Sequence, residues 1–326
     1  MEVFLGFDAG GTKTTCVVLD AAGHFLAETA GGPANPLRVG FAKASFALED
    51  TALRALREAR QETESVRAIC AGVAGAGRPR IARRLVSYLS HAFPQAAVRV
   101  TTDIEIALEA AVGQDDLDSG KPNAGIVIVA GTGSAACGRN SAGKTARAGG
   151  WGPWIGDQGS AYDIGRRAVE AALRARDHLS PSTALGERIL RADEGDAETP
   201  NTQDWDAILE RIAKHPDAVF PKLFPVVAEA AAAGDAVAQQ ILAGAANSLA
   251  SLANAVIDSL GLADQPFTLT KSGGVFGHSP HLDAALDREL SRVAPNARIA
   301  PARISPARAA AELARKSISD SAADGR

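Results

Sequence analysis

Apolar and polar positions change period along this chain, and each change marks an element. Within residues 3–28 three apolar runs, VFLGF, TTCVVLD and FLAET, are separated by the Gly-containing turns AGGTK and AAGH. Short apolar runs bounded by turn formers predict a three-stranded meander. Residues 41–61 show apolar positions at helical spacing; VRAICAGVA then predicts a strand, residues 80–93 a helix, and AVRVTTD a strand ending at Asp103. A meander followed by alternating strand and helix predicts a mixed sheet of the α/β class.

The stretch GQDDLDSGKPN, residues 113–123, is polar and rich in turn formers, as a linker is. Beyond it AGIVIVAGTGSAACGRN repeats the opening logic of apolar strand, small-residue turn and second strand, a weak internal duplication. Residues 152–261 read as mainly helical, with a long Ala-rich stretch. FTLTKSGGVFG then gives a strand and a Gly turn, HLDAALDRELSRVA a helix, ARIA a short strand, and SPARAAAELARKSI a last helix with Ser305 as its N-cap. The tail SDSAADGR is expected to fray.

Composition narrows the class. The 326 residues are 46% hydrophobic and 22% charged, the profile of a soluble globular protein with room for two domains. A formal net charge of −4 excludes the basic surface that nucleic-acid proteins carry, so no nucleic-acid partner is expected. The start MEVFLGFDAGG has no basic leader, and no apolar run is read as reaching the roughly 20 residues of a membrane span. Neither a membrane partner nor secretion is expected. Cys16, Cys70 and Cys137 are scattered through apolar runs, which predicts buried structural thiols and a reducing, cytoplasmic compartment.

Four stretches carry candidate chemistry. In GFDAGGTKTT the turn allows two readings: a tight Gly-Gly hairpin, or a phosphate cradle. In the second, backbone amides at Gly10 and Gly11 approach phosphate oxygens, Thr12 and Lys13 add a hydroxyl and a cation, and Asp8 holds a hydrated Mg²⁺. A Walker loop is excluded, because TTCVVLD continues as strand rather than helix. VAGTGSAACG contains a G-x-G-x-x-A string, but Cys137 and Gly138 follow it instead of a helix, so a second hairpin is favoured over a dinucleotide fingerprint. Gly131, Thr132 and Gly133 would then form a second phosphate wall. Asp103 in TTDIEIALEAA is either a helix N-cap or a base that orients a sugar hydroxyl and accepts its proton. In GGWGPWIGDQGSAYDIG, buried tryptophan packing competes with a sugar site in which rings cover apolar sugar faces and Asp157 takes hydroxyls.

Taken in order, F-D-A-G-G-T-K, T-T-D, A-G-T-G-S, G-G-W-G-x-x-x-G-D-x-G-S and K-S-G-G-V resemble the N-acetylglucosamine kinase family over nearly the whole chain. That family belongs to the actin-like, hexokinase-like ATPases, grouped with activator ATPases of benzoyl-CoA reductase and 2-hydroxyacyl-CoA dehydratase. The resemblance implies two ribonuclease H-like domains around an interdomain cleft, residues 1–112 with 306–326 and residues 113–305, the last helix packing back onto the first domain. It implies ATP and Mg²⁺ as cofactors and an amino sugar as substrate, phosphorylated on O6 with Asp103 as base. Asp8 to Lys13 match the first phosphate motif, Gly131, Thr132, Gly133 and Ser134 the second, and Gly273 and Gly274 the adenosine-side loop. Asn35 matches a sugar-hydroxyl contact, and Gly150, Trp151 and Asp157 line the sugar side. Where the family carries a serine-containing turn this chain has AGVAGAGRP, so a contact from Gly75 or Ala76 is through backbone.

Two other functions stay open. An activator ATPase needs cysteine ligands for an iron-sulfur cluster, and the three scattered thiols supply no pair. A non-catalytic amino-sugar sensor needs no combination of Asp8, Lys13, Thr132 and Asp103. N-acetylglucosamine is not separable from glucosamine by spacing alone, and a homodimer is left open.

Overall fold

The computed structural model describes residues 1–113, 123–192 and 204–324, so most of the expected linker at 113–123 lies outside the described residues. The chain forms two compact units, residues 1–123 with 302–326 and residues 124–301. The first boundary lies eleven residues beyond the one read at 112/113, and the second four residues before the one read at 305/306.

In the first unit, strands β1 (Val3–Ala9), β2 (Thr14–Asp20) and β3 (Phe25–Gly31) form the meander, followed by helices α1 (Pro36–Val39) and α2 (Phe41–Glu58). Then come β4 (Val66–Val73), α3 (Pro79–Ala92), β5 (Ala97–Thr101) and α4 (Asp103–Val112). The sheet order is β3-β2-β1-β4-β5, antiparallel through the meander and parallel from β1 to β5.

The second unit contains β6 (Gly125–Ala130), β7 (Ser134–Arg139), β8 (Thr145–Gly149), α5 (Ala161–Arg176), α6 (Leu185–Ala192), α7 (Trp205–Lys214), α8 (Pro216–Val219), α9 (Phe224–Ala232) and α10 (Ala236–Leu260). It ends with β9 (Phe267–Ser272), α11 (Pro280–Val293) and β10 (Ala297–Ile299). Its sheet order, β10-β9-β6-β7-β8, has the same pattern of antiparallel meander and parallel extension, so the duplication is carried by topology.

The final helix, α12 (Pro306–Asp324), belongs to the first unit and is capped by Ser305, whose Oγ accepts from the Arg308 amide. It continues past residue 318, where the sequence reading stops it. No glycine or proline interrupts residues 319–324, so nothing local ends the helix there.

Strand β1 is buried on both faces, and its period of two decides what each face meets. Val3, Leu5, Phe7 and Ala9 join a core with Leu48, Ala52 and Leu56 of α2 and Leu85 and Leu89 of α3. Phe4 joins Ile106 of α4 and Ala310 and Ala314 of α12. Gly6 lies on this second face. A Cβ there would stand 2.0 Å from the Ala311 nitrogen and 2.2 Å from the Ala307 oxygen, so glycine lets α12 settle backbone to backbone on the strand.

One expectation is corrected. Helix α10 is by length and composition apolar enough to cross a membrane, although no such run was read from the sequence. Its Leu242, Ala246, Leu249, Ala253, Val256 and Ile257 are buried in the second unit's core, which explains the apolar composition by packing.

Replacing Gly6 by Ala should destabilise the protein by at least about 3 kcal/mol, because the added methyl meets backbone that cannot rotate away. Gly32→Ala, with nothing within 4 Å of the new Cβ, is the control and should be near neutral. Urea denaturation of both variants measures the difference.

Candidate active site

In the first unit the β1–β2 register pairs Ala9 with Thr14, and the Gly10 amide donates to the Lys13 oxygen at 2.9 Å. The turn is therefore Gly11-Thr12 rather than Gly10-Gly11. Neither glycine has positive φ, so the primed-turn reason for glycine does not operate here. Thr12 and Lys13 are exposed at the tip.

Asp8 sits at the end of β1 on the face that Ile106 covers. Its register partner Gly72 would place a Cβ 2.4 Å from Ile106 Cδ1. Asp103 lies three residues before Ile106, on the same side of α4, and this placement brings the two carboxylates into one field. The Asp8 carboxyl is pushed up to about 6 by burial first, then by the negative charge of Asp103, with Lys13 pulling it down. Asp103 is not the helix cap. Thr102 holds that position and accepts from the Glu105 amide at 3.2 Å.

Asn35 caps the short helix α1. Its Oδ1 accepts from the Leu37 amide at 2.9 Å, so its carboxamide nitrogen is the group it can offer a ligand. A Cβ on Gly75, at φ +87°, would approach Asn35 Oδ1 to 2.9 Å, which keeps the backbone of AGVAGAG close to that side chain.

In the second unit, pairing of Ala130 with Ser134 leaves Gly131, Thr132 and Gly133 as the loop, and Ala136 and Cys137 continue as strand. No helix opens there, so the dinucleotide reading falls. The segment after β8 is stitched to this loop: the Gly150 amide donates to the Ser134 oxygen at 2.9 Å, the Ala161 amide to the Gly131 oxygen at 2.8 Å, and Ser134 Oγ to the Gln158 oxygen at 2.7 Å. Asp157, at φ 60°, is only 8% exposed and accepts from the backbone amides of Ser134 and Gly152. Burial raises its pKa, and those two hydrogen bonds with Arg147 oppose the shift. A Cβ on Gly133 would stand 2.9 Å from its Oδ2, so glycine is required for this contact.

Gly273, at φ +111°, lies against the end of β6, where a Cβ would strike the Ala130 oxygen at 2.3 Å. Gly274 is exposed with open space around it. Gly131, Ser134, Gly150, Asp157 and Gly273 thus come together at one end of the second sheet. Trp151 and Trp154 do not pack inside. They are 75% and 87% exposed, and buried packing is set aside in favour of a surface role.

The three thiols are buried in β2, β4 and β7, and burial raises Cys16 and takes Cys70 up to about 11. They have the environment of inert core residues.

The pattern of the BadF/BadG/BcrA/BcrD ATPase family matches residues 5–314. The chain belongs to that family. It is 31% identical to N-acetyl-D-glucosamine kinase of Dictyostelium discoideum over 329 residues, covering 96% of this chain and 98% of that protein. It is also 31% identical to N-acetylmuramic acid/N-acetylglucosamine kinase of Clostridium acetobutylicum over 282 residues, covering 86% and 88%. A solved structure from Chromobacterium violaceum, provisionally named an N-acetylglucosamine kinase, superposes with a TM-score of 0.76 at 24% identity and covers 96% of this chain and 99% of that one. That likeness shows the shared sugar-kinase, actin-like ATPase fold.

Nucleotide use by this family raises the question of a divalent cation, and the residues of the first unit fit one. Among the described residues no cluster of three or more metal-ligating side chains exists, so a dedicated protein cage is not what they offer. Mg²⁺ needs less, because it keeps several waters and takes oxygens from phosphates, and one carboxylate is sufficient. Asp8, half-buried beside the like charge of Asp103, supplies such a carboxylate.

That placement has a stability consequence in the ligand-free protein. The native state holds the Asp8 proton more tightly than the unfolded chain, whose carboxyl stays near 3.8, so stability falls as pH rises from there to about 6. Asp8→Asn should remove this decline and stabilise the protein near neutral pH, by at most about 3 kcal/mol. Asp103→Asn should move the decline to lower pH. Thermal melts of the three proteins from about pH 3 to about pH 8, a range that brackets the decline, check both.

Proposed function

We propose that this protein is an ATP-dependent amino-sugar kinase that transfers the γ-phosphoryl group of MgATP to O6 of N-acetylglucosamine or glucosamine. The observation that carries the reading is the pairing of Asp8 and Asp103 at one end of the first sheet, beside a turn that carries Lys13. One carboxylate suits a cation and the other suits an alcohol. The names of the 31%-identical relatives support an amino sugar as the acceptor.

Phosphoryl transfer proceeds through a loose transition state, so the protein's work is positioning and charge compensation. Asp103 orients the attacking hydroxyl and accepts its proton late, which suits a carboxylate of ordinary basicity. Asn35 holds a sugar hydroxyl through its carboxamide nitrogen. Lys13 and the amides of Gly11 and Thr12 compensate phosphate charge, the Gly10 amide being engaged with the Lys13 oxygen across the turn, and Gly131, Thr132, Gly133 and Ser134 do so from the second unit. Gly273 and Gly274 present backbone to the adenosine. Mg²⁺, when bound with the nucleotide, neutralises its phosphate oxygens, and Asp8 would hold it through water.

Trp151 covers an apolar face of the sugar, and Asp157 holds the surrounding backbone while meeting the sugar side. The exposure of Trp151 and Trp154 contrasts with Trp205, which is 7% exposed, so two of the three tryptophans report on this segment. Adding the substrate sugar should shift tryptophan emission to the blue, and Trp151→Phe should abolish most of the shift. An unchanged spectrum with a sugar that is turned over would place the sugar elsewhere.

A coupled ADP-release assay over amino sugars and plain hexoses tests the reaction itself. N-acetylglucosamine or glucosamine should stimulate release, whereas no stimulation by any sugar would overturn the kinase reading. Asp103→Asn should lower kcat by about a hundredfold or more while the sugar still binds. Near-normal turnover in that variant would remove Asp103 from the base role.

A further inference from the structure

The amides of the first phosphate turn must face the nucleotide, and something must hold them there. The segment after β3 does this by gripping the opposite side of the turn. The Ala34 amide donates to the Gly10 oxygen at 3.1 Å, and Arg38 Nη1 donates to the Gly11 oxygen at 3.1 Å. In a trans peptide the carbonyl and the following N–H point in opposite directions. Holding the Gly10 and Gly11 oxygens toward Ala34 and Arg38 therefore aims the Gly11 and Thr12 amides away from that segment.

Gly11 supplies a second, independent observation. Its φ is not positive, so the backbone does not require glycine. A Cβ there would stand 2.6 Å from Arg38 Nη1 and 3.1 Å from Arg38 Cδ, so the arginine occupies the place of a side chain at residue 11. Arg38 also belongs to helix α1, which Asn35 caps. The proposed sugar contact thus lies between the two residues that grip the turn.

We propose that Arg38 is a positioning residue for the nucleotide: it aims the amides of the Gly10–Lys13 turn by holding the Gly11 carbonyl, and through α1 it couples sugar binding at Asn35 to nucleotide binding. The guanidinium acts on the turn, not on the reacting atoms. The assignment rests on the kinase reading in taking this turn as a phosphate site and, for the coupling, in taking Asn35 as a sugar contact.

Calorimetric titration of the full chain with Mg²⁺ and the non-hydrolysable nucleotide AMPPNP, with and without N-acetylglucosamine, is the test. Arg38→Met keeps the stem over Gly11 and removes the donors. It should weaken AMPPNP binding roughly tenfold, as loss of a charge-assisted hydrogen bond does, and abolish any effect of the sugar on nucleotide affinity. Arg38→Lys, which retains one donor, should recover part of the loss. Gly11→Ala displaces the guanidinium and should weaken binding without adding to Arg38→Met in the double variant. Unchanged affinity in Arg38→Met, or additive effects in the double variant, overturns the assignment. If Arg38→Met melts at lower temperature, Gly11→Ala alone decides the matter, since it leaves Arg38 in the chain. Wild-type protein that binds AMPPNP but phosphorylates no sugar would defeat the kinase reading and the sugar coupling and leave the aiming of the turn by Arg38 standing, and wild-type protein that binds no nucleotide would defeat all three.

Discussion

The approach of α12 to β1 at Gly6 organises the first unit. It joins the last helix to the first strand without a side chain between them, and so closes the second face of a strand already packed against α2 and α3. With both faces dry, the alternation of β1 becomes binding: Phe4 and Gly6 must face α4 and α12, and Asp8 is carried to the same side at the strand's end. A carboxylate in that position is costly, since it is desolvated and lies in the field of Asp103. Such a cost at the carboxyl end of a sheet is characteristic of a site built for a ligand of opposite charge.

The two units share one strand order but brace their loops by different means. In the first, the turn is held from outside by Ala34 and Arg38 through its carbonyls. In the second, the long segment from Gly149 to Ala161 folds back on the loop through Gly150, Ser134, Gln158 and the buried Asp157. The glycines differ accordingly. Gly133 makes room for a carboxylate, Gly11 for a guanidinium and Gly273 for a carbonyl, so three residues of one type answer three separate packing problems.

Much of this architecture was legible in the chain. The meander and its continuation could be read because short apolar runs alternate with glycine turns, and α2 and α3 because their apolar residues recur at helical spacing. Strand β8 was not read: TARAG has no apolar alternation, and it owes its pairing to β7. Helices α6 to α9 were not separated within a long helical stretch whose apolar content is nearly continuous. Asp103 was left between cap and base, and only the hydrogen bond of Thr102 decides that it is not the cap. Arg38 carried no signal, since an arginine in a short polar segment resembles any solvated charge.

The sequence by itself determined the periods of the elements, the places where the backbone turns, and the chemical groups near each turn, because these depend on residues close together in the chain. Tertiary structure alone decided which groups meet. Asp8 and Asp103 share a field because β1 and β4 are neighbours and α4 covers that face; Arg38 reaches Gly11 because α1 returns beside the first turn. It also decided that Asp157 is buried while Trp151 and Trp154 face solvent, since exposure is set by what packs on a segment and not by the residues within it. GFDAGGTKTT specifies a turn that brings Asp8 and Lys13 to its two sides, and the fold specifies which way that turn faces.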